Sequence, residues 1–149
     1  MPTTIMIADD AKIVRRLVRG ALRRFEDTDI LEANDSTEAL KIAREYRGPI
    51  HLLLSDVVLP GRISGIEMAG ILCHTRPETK VLLMSGYAPD PLTIKSAWGL
   101  VQKPFTALEI RERVRAILTE KLLCLLLRKF ARASVTANGC EAEDVPTGL

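Results

Sequence analysis

Polar residues of complementary type stand at the ends of four short apolar runs. Asp9 and Asp10 follow Thr4 to Ala8, Asp56 follows Ile50 to Ser55, Ser85 follows Lys80 to Met84, and Lys103-Pro104 follow Gly99 to Gln102. If those runs are strands of one sheet, three carboxylates, a hydroxyl and an ammonium converge on one rim. Two like charges about 4 Å apart repel by roughly 1 kcal/mol in water and roughly 4 kcal/mol at an effective dielectric near 20. A trio of carboxylates therefore needs more compensation than one lysine supplies, and a hard divalent cation such as magnesium provides it through oxygen ligands. Phosphoryl transfer asks mainly for positioning and charge neutralisation. A carboxylate nucleophile at Asp56, a metal held by Asp9 and Asp10, and a cation at Lys103 meet that need.

Singly, each of these residues has an ordinary structural reading. Asp10 can N-cap a helix, Asp56 can be a turn residue, and Ser85-Gly86 can be a plain turn. Lys103 can be a solvated lysine and Pro104 a loop residue. The functional reading rests on their coincidence, because in open α/β sheets ligands bind outside the carboxyl ends of the strands.

The intervening sequence supplies the elements that place them. Short strands are predicted at Thr4 to Ala8, Asp29 to Ala33, Ile50 to Ser55, Lys80 to Met84 and Gly99 to Gln102, with Thr4 to Ala8 and Ile50 to Ser55 the most apolar. Asp10 to Glu26 has helical periodicity in Val14, Leu17, Val18, Ala21, Leu22 and Phe25, with Arg15, Arg16, Arg19, Arg23 and Arg24 largely on the wet side. Ser36 is read as the cap of a helix to about Tyr46, ended by Gly48-Pro49. A third helix runs from Gly65 to His74. Pro89 and Pro91 limit the stretch to Ala97 to a short or irregular helix. Thr106 to about Thr119 forms the last helix of the domain, with Ile110, Val114, Ile117 and Leu118 on one face. Apolar strands alternating with amphipathic helices imply an α/β fold, a parallel sheet covered on both sides.

The 149 residues suit one domain with a short extension. Apolar residues are 47% and charged residues 27%, a soluble globular balance, and 4% aromatics leave an aliphatic core. A net charge of +2 is too small to imply nucleic-acid binding. Cys73, Cys124 and Cys140 fit neither a disulfide framework nor a zinc site, which suits a reducing, cytoplasmic setting. No secretory signal opens the chain, and the longest apolar run, Leu122 to Leu127, is far short of a bilayer span.

The segments IADD (7–10), LLLSDVVLPG (52–61), LLMSGYA (82–88) and LVQKPF (100–105) together resemble the response-regulator receiver family over roughly residues 3–118. The resemblance implies a flavodoxin-like five-stranded parallel sheet in order 2-1-3-4-5. It also implies a non-enzymatic switch that accepts a phosphoryl group on Asp56 from a histidine kinase or phosphotransfer protein. Asp10 would ligate Mg2+ directly, Asp9 directly or through water, and Asp56 and the backbone carbonyl of Val58 would complete the set. Ser85 would be the switch hydroxyl, Lys103 the partner of Asp56 and of the phosphoryl group, and Pro104 would follow a cis peptide bond.

Three features depart from the family pattern. Leu100 stands where many members carry the aromatic residue that swings inward on activation. The loop from Pro60 to Gly65 is one residue longer than the commonest form. The span from Ser85 to Lys103 is short, so the fourth helix is stunted. A pseudo-receiver used only for binding or dimerisation is one alternative. An aspartyl-phosphate phosphatase is another, although Val58 stands where such enzymes usually carry a second Asp.

The receiver domain is assigned to residues 1–119, an apolar helical extension to 120–133 and a disordered tail to 134–149. The extension, with LLCLLL followed by Arg128-Lys129-Phe130, would be apolar nearly all round as a helix. It either folds back on its own domain or forms a homodimer surface through the C-terminal half. It is too short for a DNA-binding effector domain, so output is expected through protein–protein contacts, without nucleic acid or membrane.

Overall fold

A computed structural model describes residues 2–137. Five strands, β1 (Thr3–Ala8), β2 (Thr28–Ala33), β3 (Leu52–Asp56), β4 (Lys80–Ser85) and β5 (Gly99–Gln102), form one parallel sheet in the order β2-β1-β3-β4-β5. This is the doubly wound arrangement expected from the sequence. The order makes β1 and β3 central neighbours, with Ile5 beside Leu52 and Ala8 beside Ser55, so Asp9 and Asp56 leave the sheet side by side.

The two-residue period of each strand divides its apolar side chains between two cores. Ile5, Ile7, Leu52, Leu54, Leu82 and Met84 face Val18, Ala21 and Leu22 of α1 (Lys12–Leu22) and Ile110 and Val114 of α4 (Ala107–Ala137). Met6, Ala8, Leu53, Val81 and Leu83 face Ala39 and Ala43 of α2 (Ser36–Glu45) and Met68, Ala69 and Leu72 of α3 (Gly65–Thr75). Each fully buried Leu or Ile contributes about 1.5–3 kcal/mol.

The helix starts differ from expectation for identifiable reasons. Asp10 does not cap α1; it is exposed, and Ala11 holds the N-cap position without a side-chain bond. Asp35, not Ser36, caps α2, its carboxylate accepting the Glu38 N–H at 2.7 Å, while Ser36 is buried as the first helical residue. At α3, Ser64 and Glu67 form a reciprocal capping box. Arg76, just past α3, donates to the carbonyls of Ala43, Tyr46 and Gly48 around the end of α2.

Between β4 and β5 only a single 3-10 turn forms, at Pro91–Thr93. Prolines 89 and 91 cannot donate the hydrogen bonds a longer helix needs. Ile94, Trp98 and Leu100 pack against the α2–α3 core in that region. α4 runs to Ala137, into the stretch read as a disordered tail, whose remaining residues lie outside the described ones.

Residue contacts divide the chain into two compact units, Met1–Leu118 and Thr119–Leu149. In the second, Leu122, Leu123, Leu125, Leu126, Leu127 and Phe130 are 44–69% exposed. Among the described residues no helix is long and apolar enough to cross a membrane.

Candidate functional site

The carboxyl ends of β1, β3 and β5 bring the charged residues together. Asp9 is fully buried and Asp56 nearly so, while Asp10 is exposed. One carboxylate oxygen from each of the three lies within 4.8 Å of the others. Lys103 reaches across from the end of β5. Its Nζ donates to Asp9 Oδ2 at 2.7 Å and to Asp56 Oδ2 at 2.9 Å. Its side chain is 22% exposed, so this is a largely buried bridge between two carboxylates.

Burial alone would lower the lysine's affinity for its proton. The hydrogen bonds to Asp9 and Asp56, reinforced by their negative charge, reverse that effect and hold the ammonium above the ordinary value of 10.5. Lys103 is therefore a fixed cation at neutral pH.

Backbone donors hold the carboxylates in place. The Val58 N–H donates to Asp56 Oδ1 at 3.1 Å, and the Ala11 N–H donates to Asp9 Oδ1 at 2.8 Å. The β3–α3 loop is anchored by Val57 N–H on the Met84 carbonyl at 2.9 Å and by Gly65 N–H on the Val57 carbonyl at 2.9 Å. Lys103 is tied back to β4 by its own N–H on the Ser85 carbonyl at 2.7 Å, and the Lys103–Pro104 peptide bond is cis. Among the described residues no buried side-chain nitrogen or oxygen lacks a hydrogen-bond partner.

The remaining sequence candidates sit at the margin. Ser85 is buried at the end of β4, but its hydroxyl is engaged in its own turn, donating to the Tyr87 carbonyl at 2.6 Å and accepting the Tyr87 N–H at 3.3 Å. Leu100 is half-buried and packs into the α2–α3 core. Val58 presents its N–H to Asp56, and its side chain is exposed. A cleft of about 640 Å³ opens beside the loop after Asp56, lined by Val58, Ile63, Ile66, Tyr87, Pro89 and Thr93, where the stunted crossover leaves room.

Two contributors were not legible in the sequence. Arg15, assigned to the wet face of α1, reaches back so that Nη1 donates to the Asp9 carbonyl at 2.6 Å. Gly65 lets the start of α3 lie against Asp56, since a Cβ there would stand 1.7 Å from the Asp56 carbonyl oxygen. The only sequence signal for it is a glycine directly after a helix cap.

The family model for the response regulator receiver domain matches residues 5–115. The chain belongs to that family. The receiver is 31% identical over 122 residues to the chemotaxis protein CheY of Pseudomonas aeruginosa, covering 76% of this chain and 94% of that protein. It is 29% identical over 124 residues to the sensor kinase CckA of Brucella abortus, and 33% identical over 121 residues to the probable transcriptional regulatory protein TcrX of Mycobacterium tuberculosis. Those alignments cover 79% and 78% of this chain but only 13% and 50% of the two longer proteins. Among solved structures, the receiver superposes on a two component transcriptional regulator AraC from Clostridium phytofermentans with a TM-score of 0.71 at 27% identity, covering 85% of this chain and 98% of that one. It superposes on the BeF3 activated DrrB receiver domain with a TM-score of 0.68 at 27% identity, covering 80% and 99%.

Proposed function

We propose that this receiver accepts a phosphoryl group on Asp56 from a histidine kinase or histidine phosphotransfer protein. It then signals by protein–protein contacts in the cytoplasm. The observation that carries this reading is the Lys103 bridge between Asp56 and Asp9, with Asp10 in the same cluster.

The donor set suits Mg2+: three carboxylates whose oxygens lie within 4.8 Å, with no sulfur or imidazole among them. Asp9, Asp10, Asp56 and the Val58 carbonyl are the residues that would hold it. When bound, the ion supplies positive charge against the carboxylates and the phosphoryl oxygens. The protein's own groups do the rest. An oxygen of the Asp56 carboxylate forms the new P–O bond. The P–N bond to the donor histidine breaks, and the imidazole departs with the bonding pair. The Val58 N–H and Lys103 orient the carboxylate before attack, and the Lys103 ammonium stays close to the developing negative charge. Ser85 reaches the phosphoryl group by giving up its bonds to Tyr87.

Incubation with Mg2+ and a small phosphodonor should add one phosphoryl group by intact mass. Asp56→Asn should gain none, and chelation of Mg2+ should suppress the gain in the wild type. An unmodified wild type, or an Asp56→Asn variant modified equally, rules the reading out.

A further inference from the structure

Among the described residues beyond Thr119, six large apolar side chains are exposed, and all but Leu125 lie on one side of their helix. With Leu123 and Phe130 as a positions and Leu126 as d, the three line one seam, with Leu122 at g and Leu127 at e beside it. Arg128 falls at f and Cys124 at b, away from the seam, and Lys129 at g stands at its edge. All five seam and flank side chains are 44–69% exposed. We propose that this seam binds a second copy of the same chain in a parallel two-stranded coiled coil.

Two arguments select that occupant and orientation. The first is size. Each of the five side chains offers on the order of 100 Å², so two copies would cover about 1,000 Å², the area at which specific association becomes possible. The second is the pattern of the flanks. In a parallel pair a g residue meets the e residue five positions on in the partner helix, which places Leu122 against a second Leu127. An antiparallel pairing of Leu123 with Leu126 would set Leu122 against Lys129 and Leu127 against Glu120, burying apolar surface against charge. In the parallel register the seam and its Leu122–Leu127 flanks are complementary to themselves about a two-fold axis.

The test uses the full chain. Light scattering coupled to size exclusion should give twice the chain mass, falling toward the monomer on dilution. Leu126→Lys should weaken the dimer by at least about tenfold. Leu125→Lys should leave it intact, because Leu125 is just as exposed but lies at c, away from the seam. In a background with Cys124 and Cys140 replaced by serine, Leu126→Cys should form an interchain disulfide under mild oxidation, as parallel d positions face each other. Circular dichroism should show unchanged helix content in each variant. A monomer at every concentration overturns the proposal. So does equal weakening by Leu125→Lys, an unchanged dimer in Leu126→Lys, a dimer without the cross-link, or a monomer that instead sediments with anionic lipid vesicles.

Discussion

Replacing Lys103 with methionine should expose what the bridge contributes. The substitution keeps the unbranched stem, one atom shorter, and removes the ammonium that sits 2.7 Å from Asp9 and 2.9 Å from Asp56. It leaves a fully buried carboxylate and a nearly buried one facing each other without a cation. Removing one partner of a buried ion pair typically costs 3–5 kcal/mol, and the partial exposure of the lysine puts this case near the lower end, about 3 kcal/mol. With a urea slope of about 1–3 kcal/mol/M, the unfolding midpoint in EDTA should fall by roughly 1–3 M. The decisive arm is the double variant with Asp56→Asn, which removes one of the two stranded charges. It should recover at least about 1 kcal/mol relative to Lys103→Met alone. Added Mg2+ should narrow the gap between wild type and Lys103→Met, because a bound cation takes over part of the neutralisation. A loss below about 1 kcal/mol, or the same loss whether residue 56 is Asp or Asn, would refute the account of Lys103 as the cation that makes the carboxylate cluster tolerable.

Gly65→Ala should destabilise the fold by about 2–3 kcal/mol and slow phosphoryl acceptance, because its Cβ would meet the Asp56 carbonyl at 1.7 Å. In the same helix, Gly70→Ala has open space and should stabilise by about 0.5–1 kcal/mol in urea titrations. Arg15→Ala should cost about 1 kcal/mol by removing the bond to the Asp9 carbonyl, and Arg15→Lys should retain part of it. Because Lys103 binds its proton more tightly when folded than when unfolded, its stabilisation is complete below pH 10.5. It should be lost as pH climbs through the raised value, a drop that Lys103→Met should not show.

The fold was readable because the central strands are compact apolar runs and the first and last helices carry a 3.6-residue stripe. Those two periods survive any uncertainty about boundaries. Caps were less readable where two suitable residues adjoin: Asp35 and Ser36 both suit the position, and only the backbone shows that Asp35 is extended while Ser36 is helical. Asp10 looked like a cap by type alone, but the loop continues one residue further and Asp9 supplies the bond to Ala11. The acidic cluster and Lys103 were legible because they stand at strand ends that the strand order makes neighbours. Arg15 was not, since a helical wheel shows where a side chain starts and not how far a long one bends back. Nor could sequence show that the Ser85 hydroxyl closes a turn with Tyr87, which is a matter of rotamer.

The Arg76 clamp bears on how this chain becomes folded. The last carbonyls of α2 have no partner within their own helix, and the groups around its end are met by a guanidinium about thirty residues later. The end of α2 is therefore incomplete until α3 has docked and delivered Arg76. A fragment ending before residue 76, or a nascent chain that has not yet reached it, cannot hold that turn. In hydrogen exchange the last turns of α2 and α3 should open together, one cooperative block at the opposite end of the sheet from the Asp9–Asp56–Lys103 cluster.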